Sequence, residues 1–121
     1  MIRGVRGATT VKQNTEEEIT LETRKVVRSM VEANNVKPQD VSHIFFSTTS
    51  DLNASFPAKA IREIEGWTFV PVMCMQEIDV PNSLKMCIRV MMVINTTEQQ
   101  DKIEHVFHNE AVKLRPDLIE E

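Results

Sequence analysis

Glycine is scarce in this chain, with three in all, so there is no glycine-rich loop to cradle a phosphate, and no serine-hydrolase signature appears either. Cysteine is equally sparse. Cys74 and Cys87 lie too far apart for a CxxC pair and neither is spaced as a zinc ligand; with no signal peptide ahead of them, they read as reduced thiols in a cytoplasmic protein. No apolar run approaches the roughly 18 residues needed to cross a bilayer, and there is no repeat, low-complexity tract or linker. A formal charge of -4 argues against nucleic acid as the main partner, although an anion still binds wherever positive charge is concentrated locally. The expectation is one domain, residues 1–121, with no membrane and no nucleic acid among its partners.

Against these absences stands one conspicuous presence. The stretch Met86 to Ile94, MCIRVMMVI, carries a single charge, Arg89. In a strand Arg89 shares a face with Cys87, Met91 and Val93, while Met86, Ile88, Val90, Met92 and Ile94 take the other. Both faces are apolar, as in a strand covered on both sides, and an unpaired charge there costs several kcal/mol, roughly what a buried ion suffers after relaxation. Arg89 therefore needs a carboxylate, a set of carbonyls or an anionic ligand.

The remaining elements follow from local patterns. Ile2 to Ala8 reads as a first strand interrupted by glycines, with Arg3 and Arg6 on opposite faces. Thr15 to Glu18 is a capping box, its hydroxyl and carboxylate serving backbone donors reciprocally, and it opens a helix with Ile19, Thr23, Val26, Val27, Met30 and Val31 buried. Asn34 and Asn35 end that helix. His43 to Thr48 is a second strand, Phe56 to Gly66 a short second helix carrying Lys59 and Arg62 on one face, and Phe69 to Met75 a third strand, with Pro71 marking an edge or a strand start. The last segment fits two patterns, a helical period through Ile103, Val106, Phe107, Ala111 and Leu114 or a strand over His105 to His108. The order is that of an α+β chain, a ferredoxin-like mixed β-sheet with helices on one face. A second apolar face then needs its own cover, and another copy of the chain is the simplest one.

Ordinary catalytic groups are hard to find. His105, His108 and Glu104 lack a third metal ligand at a sensible spacing, and Cys74 has no histidine partner in sequence, so it reads as a packing or hydrogen-bonding residue. What remains is arginine in awkward places, Arg6, Arg89 and Arg115, together with Glu77. Glu77 and Arg89 form either a buried salt bridge or part of an anion pocket in which guanidinium groups grip carboxylates through two parallel hydrogen bonds.

The motifs IRGVRGATT (Ile2 to Thr10), FPAKAIRE (Phe56 to Glu63), CMQEIDV (Cys74 to Val80), CIRVMM (Cys87 to Met92) and LRPDL (Leu114 to Leu118) occur in one order across almost the whole chain. Together they resemble the AroH class of monofunctional chorismate mutases. The resemblance implies a homotrimer with a pseudo-α/β-barrel appearance, clefts between subunits as active sites, and isomerisation of chorismate to prephenate on the route to phenylalanine and tyrosine. It calls for no cofactor and no metal. It implies that Arg6, Cys74, Glu77, Arg89 and Phe107 come from one subunit, with Arg115 and the tail closing over the pocket and Leu114 among the substrate-binding positions. Phe56, Ala58, Lys59 and Arg62 come from the next, and Met73 lies among the substrate-binding positions. Arg89, Glu77 and Arg6 are the catalytic candidates. The resemblance also favours a strand around Val106 and Phe107, and it places phenylalanine at 107 where the family commonly has tyrosine. Two rivals are a trimeric binding protein with the same cleft and no turnover, and an imine-processing enzyme of the Rid type, whose motifs do not line up here.

Overall fold

The computed structural model describes residues 1–114. Its order is β1 (Ile2–Thr10), α1 (Glu16–Asn34), β2 (Val41–Thr48), α2 (Lys59–Arg62), β3 (Val72–Gln76), β4 (Cys87–Asn95) and β5 (Val106–Phe107), with short 3-10 turns between several of them. The strands form one mixed sheet in the order β3-β2-β4-β1-β5. β4 runs antiparallel to β1 and β2, whereas the outer strands β3 and β5 run parallel to their neighbours. The architecture is therefore α+β, with a five-stranded sheet and two helices.

Period-two alternation divides the sheet into two unlike faces. On one, Val5, Ile44, Phe46, Ile88, Val90 and Met92 are buried against Ile19, Val26, Val27 and Met30 of α1 and against Ile61 and Trp67. Gly7 shares this face and lies close under the helix: a Cβ there would sit 2.3 Å from the Met30 sulfur, so the Met30 side chain would have to move. On the other face lie Arg6, Phe45, Ser47, Met73, Met75, Arg89 and Met91, and among them Phe45, Met73, Met75 and Met91 are exposed. The helices thus cover one face, and the second apolar face is open in the single chain.

Local chemistry explains where the elements start and stop. The Thr15 hydroxyl accepts the Glu18 N–H at 3.2 Å, as a capping residue should. The reciprocal half of the expected box does not form. Thr15 N–H is already spent on the Gln13 carbonyl, and Glu18 instead accepts the Lys12 and Gln13 N–H groups at 2.6 and 2.9 Å. At the other end Asn35 takes the left-handed conformation (φ 50°, ψ 49°) and Val36 N–H returns to Val31 C=O, closing α1 in the manner of a Schellman cap. Val31 is half-buried, and Thr20 joins the buried stripe in its place.

Two expectations need correction. The helix expected over Phe56 to Gly66 is regular only at Lys59–Arg62; around it, Lys59, Ala60, Ile61, Ile64 and Trp67 each donate to a carbonyl three residues back, which makes a chain of tight turns. Gly66, at φ 91°, ends it as a glycine can. The third strand begins at Val72, not Phe69, and Pro71 precedes it on the sheet edge, where its missing N–H costs no ladder bond. The tail resolves as a strand at Val106–Phe107, followed by a 3-10 turn over Asn109–Lys113.

Candidate active site

The open face holds two of the three arginines that looked misplaced, Arg6 and Arg89. Arg89 sits near the middle of the sheet on β4, opposite Ala8 of β1 and Ser47 of β2. Those small neighbours leave space above the strand. Arg6 lies on β1 opposite Met91, and Phe107 of β5 pairs with Ala8. Arg6, Phe45, Ser47, Arg89, Phe107 and Leu114 are among the residues lining a cavity of about 180 Å³. Alternation, register and two short side chains are enough to build it.

Glu77 follows the end of β3 and is tied in on several sides. Its N–H donates to Thr48 C=O at 2.8 Å, Ser47 Oγ donates to its Oε2 at 3.0 Å, and the Ile78 N–H donates to its Oε1 at 3.1 Å. Arg89 Nε approaches the same Oε2 at 3.2 Å. That nitrogen is buried yet has no aligned hydrogen-bond partner, so the contact is ionic and off-axis. The pair is no sealed salt bridge either, since the side chains keep 38% and 24% of their exposure, and Arg89 lines the cavity. An ion pair so exposed contributes at most about 1 kcal/mol to stability. The pair leaves the Arg89 side chain at the wall of an open pocket.

A second group of expected site residues lies on the other side of β3. Phe56 and Cys74 line a larger cavity of about 570 Å³ that also takes in Glu16, Thr48 and Gln76. Lys59 reaches Glu16 at 2.8 Å, and each holds the other in its charged form through that hydrogen bond first and the opposite charge second. Burial pushes the Cys74 thiol up, with a backbone hydrogen bond from Ala58 and the charge of Arg62 opposing only in part. A thiol so held is a poor nucleophile at neutral pH. Within one chain, Cys74 therefore lies with Ala58 and Arg62, on the face away from Arg89, while Met73 is exposed on the open face. Arg115 lies outside the described residues.

Two side chains at the site were not singled out from the sequence for these roles. Ser47, which holds Glu77, sits near the end of the second strand, and only the β2–β4 register places it against Arg89. His105 accepts the Arg6 N–H on its Nδ1 at 2.9 Å. Among the described residues no group of three or more histidine, cysteine or acidic side chains is arranged to hold a metal ion, and no helix is long and apolar enough to cross a membrane.

The cavity thus brings Arg6 and Arg89 together, with the Glu77 carboxylate against Arg89 and a thiol at Cys74 that is a poor nucleophile. The family profile for chorismate mutase type I matches residues 2–118. The chain is 55% identical over 118 residues to the chorismate mutase AroH of Bacillus subtilis (strain 168), covering 98% of this chain and 93% of that one. It is 44% identical over 119 residues to the chorismate mutase AroH of Thermus thermophilus, covering 98% and 97%. A solved chorismate mutase from Clostridium thermocellum superimposes with a TM-score of 0.87 at 50% identity, over 89% of this chain and 96% of that one. Identity on this scale along nearly the whole length admits one conclusion: the chain belongs to the chorismate mutase type I family.

Proposed function

We propose that three copies of the chain cover one another's open sheet faces, forming a pseudo-α/β barrel from ferredoxin-like units. In each cleft Arg6, Glu77, Arg89, Phe107 and Leu114 of one subunit meet Phe56, Ala58, Lys59 and Arg62 of the next. Each chain acts as one domain, in the cytoplasm. The activity is that of a chorismate mutase, the isomerisation of chorismate to prephenate in aromatic amino acid biosynthesis.

The reaction is a concerted rearrangement in which an ether C–O bond breaks as a C–C bond forms. It requires no nucleophile and no proton transfer, so the protein supplies geometry and charge. Arg6 grips a substrate carboxylate, and the cations of the adjoining subunit, Lys59 and Arg62, complete the anion pocket. Fixed carboxylate contacts hold the flexible enolpyruvyl arm over the ring before reaction, removing freedom that would otherwise be lost on the way to the transition state. Glu77 and Cys74 engage the ring hydroxyl. Arg89 faces the ether oxygen, which gains electron density as its bond lengthens, so a guanidinium aimed there stabilises the transition state more than the ground state. Phe107 packs on the substrate without the phenolic hydrogen bond that a tyrosine would add.

The observation that carries this reading is the part-exposed Arg89, in contact with Glu77 and lining a cavity with Arg6 on the open face. The division of the expected site residues between two sides of β3 supports a cleft shared by neighbours. Subunit mixing tests it, with loss of chorismate's ultraviolet absorbance as the readout. Arg89→Ala and Arg62→Ala trimers, each nearly inactive, are unfolded together and refolded. Random assembly returns both intact residues to about one quarter of the clefts, so activity reappears at about that level if sites are shared. No recovery from well-formed mixed trimers would place the whole site within one chain.

A further inference from the structure

We infer that His105 is a positioning residue, its imidazole setting the orientation of Arg6 by accepting that residue's main-chain N–H; this deepens the reading of Arg6 as a carboxylate-binding group and rests on it. The bond runs from Arg6 N to His105 Nδ1 at 2.9 Å and is partly buried. Its place in the sheet gives it weight. β1 and β5 pair in parallel over only two residues, Gly7 with Val106 and Ala8 with Phe107, and the same register sets Arg6 against His105. There the backbone ladder stops, and a side chain supplies the acceptor in its place.

The imidazole itself rests on a firm base. Asn34, the last residue of α1, donates to the Glu104 carbonyl and accepts the Glu104 N–H, both at 2.8 Å. Ile103 beside it is buried. The helix end therefore holds residue 104, residue 104 sets His105, and His105 sets the peptide plane from which the Arg6 side chain projects over the cavity. A long side chain magnifies a small tilt at its Cα, and a misplacement of about 1 Å at a binding group costs on the order of a hundredfold in catalytic efficiency. Arg6 holds a substrate carboxylate in the ground state and the transition state alike, so disturbing it should appear mainly in KM.

Two substitutions separate the acceptor from the bulk of the ring. His105→Asn places an amide oxygen close to where Nδ1 lies; His105→Leu keeps comparable volume and has no acceptor. The expected result is that His105→Leu loses about ten- to a hundredfold in kcat/KM, chiefly through KM, while His105→Asn stays within about threefold of wild type. In uniformly 15N-labelled wild-type protein, a through-hydrogen-bond coupling between the Arg6 amide nitrogen and His105 Nδ1 should be present whatever the variants do. Absence of that coupling, or equal kinetics for the Asn and Leu variants, overturns the inference. Arg6→Ala, measured alongside, tells the two levels apart. If it raises KM while His105→Leu does not, the positioning role alone is wrong; if it leaves KM unchanged, the role of Arg6 is wrong and that of His105 goes with it.

Discussion

Met91 and Met92 are neighbours on one strand, yet Met92 is completely buried and Met91 keeps 38% of its surface exposed. The same contrast runs along β4. Ile88, Val90, Met92 and Ile94 pack against the helix layer, and Arg89 and Met91 look out from an uncovered sheet. Both sides are apolar, but only one is finished by the chain itself. The helix face holds the fold, and the open face carries Arg89 and, in the proposed reading, both the chemistry and the surface that another subunit covers.

Substitutions on the two faces should therefore fail in different ways. The largest loss of stability is expected on the closed side. Ile88→Ala removes buried methyl groups where the helix layer cannot collapse to fill the gap, at a cost of about 2–5 kcal/mol in urea unfolding, with activity per folded molecule little changed. A cost under about 1 kcal/mol would mean that this face is not the structural core. Met91→Lys should have a smaller effect on the stability of the single chain, about 0.5 kcal/mol or less, because the residue already meets water there. It should instead weaken assembly, seen as a shift from trimer to monomer in analytical ultracentrifugation, with activity lost in step. A monomeric variant with full activity would break the proposed link between the open face and the site.

Much of this division was legible from residue order alone. Period two assigned Arg89, Met91 and their even-numbered neighbours to the correct faces, because strand geometry needs no partner to be read. Thr15, Asn35 and Gly66 marked element ends through local chemistry, which is carried by adjacent residues. What escaped was non-local. The Glu18 carboxylate went to Lys12 and Gln13 because a preceding turn had already used the Thr15 N–H. The Phe56 to Gly66 segment carried helical signals at both ends and folded as tight turns, burying Ala60, Ile61 and Trp67. Ser47 and His105 became visible only through strand register, since each acts on a residue at least thirty positions away. The spacing of His105 and His108 pointed at most to a chance pair of metal-type ligands, whereas the hydrogen bond to Arg6 gives one of them a different task.

Replacing Arg89 by citrulline through semisynthesis changes the charge while keeping the shape and most of the hydrogen-bonding capacity of the side chain. With trimer mass and circular dichroism unchanged, the rate of chorismate loss should fall by roughly three powers of ten or more, with a much smaller change in KM, because the cation is needed most when the ether oxygen is gaining charge. Turnover within about tenfold of wild type would contradict an electrostatic role for this residue and leave the open pocket as a binding site alone.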